Sequence, residues 1–273
     1  MKISFLKPRP ELRPYIESFW VFESAIGMPA VDKSLAASNG CPKLIFLYEN
    51  SLTSFVEGRV QVSQPGLYFI GHRDTSPLIE ASARKTAFIG IEFTPFGAYP
   101  FFGIPMEQTV NRLLVSEEIF PQRGRELRER LLNLERVDQK LDFIQEHLVG
   151  LLRNGRRDSD LIRYCVDALK TSDGRMPIRE LERRTGYSRQ YLDLLFRKHV
   201  GFSPKALARI FRFQRFYRQW ARGVSFEEMK KDLYEFYYAQ AHFTREFKKM
   251  TGYSPRNFAR EISNEFGRRL SRT

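Results

Sequence analysis

The sequence predicts an α+β chain of two domains. A small β-barrel with following helices is expected over residues 1–157. An all-α domain is expected over 158–273, with two helix-turn-helix units joined by a long linker helix. Three observations lead there. Short β-rich runs broken by Gly and Pro recur in the first half. In the second half "GYSRQYLDLLFRKHVGFSP" (186–204) returns as "YYAQAHFTREFKKMTGYSP" (237–255), offset by 51 residues. Charge divides along the same line: residues 174–273 hold 23 Lys and Arg against 10 Asp and Glu, a net +13, whereas residues 1–173 hold 22 of each.

The β-rich runs are "SFWVFE", "KLIFLYE", "LTSFVEG", "LYFIG" and "AFIGIEF". Turn residues separate them at Gly40–Pro42, Pro65–Gly66, Gly71, Pro77, Pro95 and Gly97. Strands of this length and spacing make a small barrel or sandwich. Helical patterns follow, from "EEIFPQRGRELRERLLNLE" to "DQKLDFIQEHLVGLLRN", where Leu141, Ile144, Leu148 and Leu151 form an apolar stripe. That stripe fits either the domain's own sheet or a partner subunit. "RNGRRDSD" is a polar connection, and a helix from Leu161 to Lys170 leads onward.

In the carboxy-terminal half, "IRELERRT" (178–185) has Ile178, Leu181 and the Thr185 methyl at helical spacing. Gly186 supplies a turn, and Ser188 caps a second helix running to Gly201. Leu192, Leu195, Phe196 and Val200 form its inner stripe, whereas Arg189, Gln190, Asp193, Leu194 and Arg197 project outward. Helix, short turn, helix is the arrangement whose second helix enters the DNA major groove. Ser203 and Pro204 then open a linker helix over 203–221, with Leu207, Ile210, Phe211, Gln214 and Tyr217 in register. The second unit, about 225–252, starts from a Ser225/Glu228 capping box. In its reading helix Phe243, Phe247 and Met250 fall inward, and Gln240, Ala241, Thr244, Arg245 and Lys248 outward.

A basic domain beside a neutral one implies a polyanionic partner. The expected partner is double-stranded DNA. Arg, Gln, Thr and Lys suit the donor and acceptor patterns of base edges, and surrounding Lys and Arg neutralise phosphates. The candidate DNA-binding residues are Ser188, Arg189, Gln190, Asp193, Arg197 and Lys198 in the first unit, and Gln240, Ala241, Thr244, Arg245, Lys248 and Lys249 in the second. Two such helices on one rigid linker would meet major-groove faces about one turn, ~34 Å, apart. His242 is expected to pack or to touch a phosphate, and Phe236, Tyr237 and Tyr238 to be core or turn aromatics.

The "GYS…LFRKHVGFSP" and "QAHFTREFKKMTGYSP" runs, in this order and at this spacing, resemble the AraC/XylS family of bacterial transcription regulators across about residues 174–262. One stretch departs from the family. "DLYEFYYAQAHF" has two residues more near Tyr234–Glu235, Phe236 where Gly is usual, and Ala239 where Asp is common. The resemblance implies a sequence-specific, cytoplasmic, nucleoid-associated regulator acting as a homodimer, with RNA polymerase a partner if it activates. It also implies that the first domain is a cupin-like module for a small-molecule effector or for dimerisation. "NGCPKLIFLYE" and "GIEFTPFGAYPFFGIP" resemble one subgroup's amino-terminal domains. On strand alternation, Trp20, Phe22, Phe46, Tyr48, Phe69 and Phe93 are candidate pocket residues, with core filling as the alternative.

No cofactor, metal or catalytic role is expected. The chain has no HxH pattern, phosphate loop, GxGxxG or GxSxG. His72, Asp74 and Glu92 are better explained as loop and surface charges than as ligands. No apolar run approaches the ~20 residues of a membrane span. Two rival readings remain. One is a DNA-repair alkyltransferase fused to an AraC-like module, which needs Cys41 or Cys165 as nucleophile. The other is a basic helical module that binds an acidic protein.

Overall fold

The computed structural model describes residues 2–27, 34–35, 38–56, 59–75, 78–81, 84–154, 160–224, 228–229 and 240–261. Among the described residues the first half forms ten strands: β1 (Lys2–Leu6), β2 (Ile16–Ser24), β3 (Ser34–Leu35), β4 (Lys43–Glu49), β5 (Leu52–Val56), β6 (Arg59–Ser63), β7 (Gly66–Ile70), β8 (Leu78–Ala81), β9 (Thr86–Phe93) and β10 (Leu113–Val115). They make two antiparallel sheets, in the orders β1-β2-β9-β4-β7-β10 and β3-β8-β5-β6. The expected barrel is therefore two sheets packed together, and no pairing closes them into a ring among the described residues. The chain crosses between sheets directly after β4, where Asn50 adopts φ +65° and its amide donates to Thr86 Oγ1 at 3.1 Å.

The larger sheet is covered on both faces. Phe19, Val21, Leu44, Phe46, Phe69, Ile89, Ile91 and Phe93 lie in a core shared with the helices that follow. These helices are α1 (Tyr99–Phe102), α2 (Ser116–Ile119), α3 (Gly124–Asn133) and α4 (Val137–Asn154). Leu141, Ile144 and Leu148 of α4 are buried in this same core, so the apolar stripe packs on its own domain. Lys140 of α4 is buried too. Its ammonium donates to the carbonyls of Leu131 (2.9 Å) and Leu134, which close the end of α3, and lies over the rings of Phe46 and Tyr48. On the opposite face Trp20, Phe22, Ile45, Leu47 and Phe88 meet Leu52 and Ile79 of the smaller sheet.

Trp20 depends on Gly90, its cross-strand partner. A Cβ on Gly90 would stand 2.1 Å from the indole, so the ring occupies the space any side chain would need. Gly90→Ala is expected to cost about 1–3 kcal/mol by overpacking, read as a lower denaturant midpoint with an unchanged slope.

The second half is helical: α5 (Asp160–Thr171), α6 (Ile178–Thr185), α7 (Arg189–His199), α8 (Pro204–Ala221), α9 (Gln240–Thr251) and α10 (Pro255–Glu261). Helix α8 has two buried faces. Leu207, Ala208 and Phe211 pack with Ile162, Val166, Leu181, Leu192 and Phe196, whereas Ile210, Phe213, Phe216 and Tyr217 pack with Met229, Phe243, Phe247, Met250 and Phe258.

Candidate nucleic-acid interface

The first unit is α6, a turn and α7. Gly186 ends α6 at φ +72°, and its amide donates to Glu182 O at 2.9 Å. A β-carbon is strained at that angle, which is why the turn takes glycine. Ser188 caps α7 as expected, its hydroxyl accepting from the Tyr191 amide at 3.3 Å. Glu182 of α6 supports the cap by accepting from the Arg189 amide at 2.9 Å. Two helices are thus tied through the first turn of the second.

The second unit repeats these devices at its far end. Gly201 and Gly252 close α7 and α9 at φ +88° and +80°. Ser203 caps α8 by accepting from Ala206, and Ser254 caps α10 by accepting from Asn257, each at 3.3 Å. Phe196 and Phe247 are both buried. The insertion near Tyr234–Glu235, the aromatics 236–238, Ala239 and the Ser225 cap lie outside the described residues, as do the side chains of Gln240 and His242.

The predicted contact residues lie on the surface. Ser188, Arg189, Gln190, Arg197 and Lys198 of the first unit are exposed, with Asp193 half-buried. Ala241, Arg245, Lys248 and Lys249 of the second are exposed, with Thr244 half-buried. Arg245 Nε donates to Ala241 O one turn back at 3.3 Å, so its guanidinium lies along its own helix.

Much of the basic charge is already paired. All four arginines of α8 make ion pairs: Arg209 and Arg212 face Glu246 of α9 at 4.0 and 3.9 Å, and Arg215 and Arg218 face Asp173 at 2.9 and 3.1 Å. Arg183 and Arg184 both bind Glu180 at 2.7 Å. The linker's charge ties the two units together, whereas Arg189, Arg197, Arg245 and Lys248 of α7 and α9 are exposed.

The amino-terminal domain meets this surface directly. Phe96 is buried in the core of the first unit. Gln214 of α8 donates to Ser38 O at 2.6 Å, and Lys170 of α5 pairs with Glu17 at 2.6 Å. The end of α7 docks on residues 99–110: the His199 and Tyr99 rings lie 4.3 Å apart, Lys198 sits over Tyr99, and a Cβ on Gly201 would approach Met106 O to 2.8 Å. Lys249, one of the candidate DNA-binding residues, pairs with Asp74 at 2.8 Å. Asn111, at φ +57°, holds Asp74 by donating to its carboxylate at 3.0 Å and accepting from its amide at 3.2 Å. Sequence patterning carried no signal for this pair, because 175 positions separate its members.

His72 was expected among surface charges. It is fully buried, with Phe202 5.7 Å away across the domain boundary. Burial pushes its pKa down to about 3 and that of His199 to about 4, so both are neutral at pH 7. Burial raises the Asp74 carboxyl, but hydrogen bonds from Lys249 and Asn111 outweigh it and leave the group below its ordinary value. Glu92 pairs with Lys43 at 3.3 Å, and no cluster of three potential metal ligands occurs among the described residues. Burial raises both thiols, Cys165 to about 11 and Cys41 well above its ordinary value, the opposite of an activated nucleophile.

Residues 181–261 match the family described as a helix-turn-helix domain. The chain carries an AraC-type helix-turn-helix domain. Residues 4–114 match a domain of unknown function, DUF6597. No curated protein matches the chain. Among solved structures, ToxT from Vibrio cholerae is similar over 90% of this chain and 98% of its own, at 10% identity and a TM-score of 0.47. ToxT bound to (E)-4-(8-methylnaphthalen-1-yl)but-3-enoic acid is similar over 90% and 100%, also at 10% and 0.47. EutQ from Clostridium difficile is similar over 33% of this chain and 65% of its own, at 15% and 0.25.

The buried histidines set a direction for pH. A histidine whose folded pKa is depressed from about 6.5 stabilises the fold fully above that value and loses the contribution as pH falls toward the folded pKa. Thermal stability is therefore expected to fall between pH 6.5 and about 4, and the Asp74–Lys249 pair adds to the loss below the ordinary carboxylate pKa of about 3.9. In His72→Phe, which keeps a ring against Phe202, the slope of melting temperature on pH should flatten.

Proposed function

We propose that this protein is a sequence-specific DNA-binding transcription regulator. Its two units engage successive major-groove segments, and the amino-terminal domain sets their availability. The observation that carries this reading is the helix-turn-helix domain with its exposed cations: Arg189, Arg197, Arg245 and Lys248 lie exposed on α7 and α9, whereas the linker arginines are in ion pairs. Residues 1–157 are the regulatory unit and 158–273 the reading unit. The regulator works in the cytoplasm on the nucleoid, as a homodimer, and contacts RNA polymerase when it activates.

A small-molecule effector would enter between the two sheets. Trp20 and Phe22 face that interior, and the buried Trp20 Nε1 has no hydrogen-bond partner among the described residues, which suits a ligand with an acceptor. Phe46, Phe69 and Phe93 face the helices instead, as does Tyr48 at the edge of that core. Effector binding that moves the amino-terminal domain would alter the contacts at Asp74, Tyr99 and Met106, and so the population of chains able to bind DNA.

The test is fluorescence anisotropy of the full chain with duplexes tiled across its own upstream region and with shuffled DNA, at two salt concentrations. The expected result is one preferred tile, bound less tightly as salt rises. Salt-sensitive binding without preference would leave a polyanion-binding module and remove the specific regulator. On the preferred tile, Arg245→Ala should cost about 1–3 kcal/mol and little on shuffled DNA. Equal losses on both would make Arg245 a phosphate contact.

Asp74→Ala should release Lys249. Binding to preferred and shuffled duplexes alike is expected to tighten by about 1.5- to 5-fold, the range of a partly exposed ion pair. Unchanged affinity would mean that the pair does not compete with DNA.

A further inference from the structure

We infer that Leu194, with Tyr191 beside it, recognises the C5 methyl group of a thymine in the major groove. The inference rests on the regulator reading and names part of its sequence code.

The position of Leu194 on α7 carries the argument. Leu192, Phe196, His199 and Val200 are buried and define the inner face. At 3.6 residues per turn the opposite face is centred on Gln190, Leu194 and Arg197. Leu194 is therefore at the middle of the reading surface, and it is 61% exposed. A single exposed leucine is ordinary, but this one is not alone. Tyr187 and Tyr191 are each 45% exposed and stack with ring centroids 4.8 Å apart, and Tyr191 precedes Leu194 by three residues on the same helix. The helix thus presents an apolar strip in the place where base edges are met.

A leucine side chain has no donor or acceptor and gains nothing from hydrogen-bonding base edges. The thymine methyl is the apolar group that the major groove offers. Exposed Arg189, Gln190, Arg197 and Lys198 surround the strip. Three cations and a carboxamide around an apolar centre fit a groove walled by phosphates and floored by a methyl group, and they fit an apolar protein surface poorly.

The experiment uses the full chain and the preferred tile. Each thymine is replaced in turn by 2′-deoxyuridine, which removes the methyl and leaves the hydrogen-bonding edge intact. At one thymine, or two neighbours, affinity should fall about fourfold, the factor that burying one methyl supplies. In Leu194→Ala this sensitivity should vanish while binding to shuffled duplex is unchanged; the exposed position makes the variant neutral for folding. Leu194→Met, still apolar, should keep the sensitivity. Deoxyuridine without effect at every thymine, or a full loss that persists in Leu194→Ala, overturns the inference while the regulator reading stands. A wild-type chain that prefers no tile overturns both.

Discussion

Helix α8 is buried on two faces at once, and that constraint governs the carboxy-terminal half. Leu207, Ala208 and Phe211 belong to the core of the first unit; Ile210, Phe213, Phe216 and Tyr217 belong to the core of the second. Each large apolar side chain fully buried contributes about 1.5–3 kcal/mol. The ion pairs from Arg209 and Arg212 to Glu246 are smaller additions that fix rotation. An 18-residue helix extends about 27 Å. Neither unit can turn against the linker without exposing aromatic rings, so α7 and α9 keep a fixed separation and orientation.

The same helix joins the two halves of the chain. Gln214 reaches back to Ser38, and Gly40 approaches so closely that a Cβ there would stand 3.0 Å from Leu207. Phe96 enters the core of the first unit, and Tyr99 stacks on His199 at the end of α7. The amino-terminal and carboxy-terminal halves are coupled by packing on one side and by the Asp74–Lys249 pair on the other. Packing resists small displacements, whereas the half-exposed ion pair opens at low cost. Of the exposed lysines of α9, Lys249 is accordingly the one held by the other domain.

The core strands were legible because their composition is unmistakable. "SFWVFE", "KLIFLYE" and "AFIGIEF" became β2, β4 and β9. Edge strands were not read: β1 and β6 pair on one side and expose much of their length, so their residues need not be apolar. The pocket candidates separated for a related reason. In a sheet covered on both faces, residues of both parities are apolar, and alternation marks two faces without saying which meets the smaller sheet. Trp20 and Phe22 turned to one side, Phe46, Phe69 and Phe93 to the other.

The sequence by itself determined the carboxy-terminal architecture. Glycine after α7 and α9, Ser-Pro at the starts of α8 and α10, and the apolar stripes of α7 and α9 are local rules, satisfied within a few residues and stated twice at an offset of 51. It also determined which side chains of α7 and α9 face outward, because helical period follows from backbone geometry alone. The tertiary structure decided which cations are left for a ligand, where His72 lies, and that Lys249 meets Asp74. These are contacts between segments far apart in the chain. Charge and burial at such points depend on what the fold brings alongside, and no local pattern encodes that.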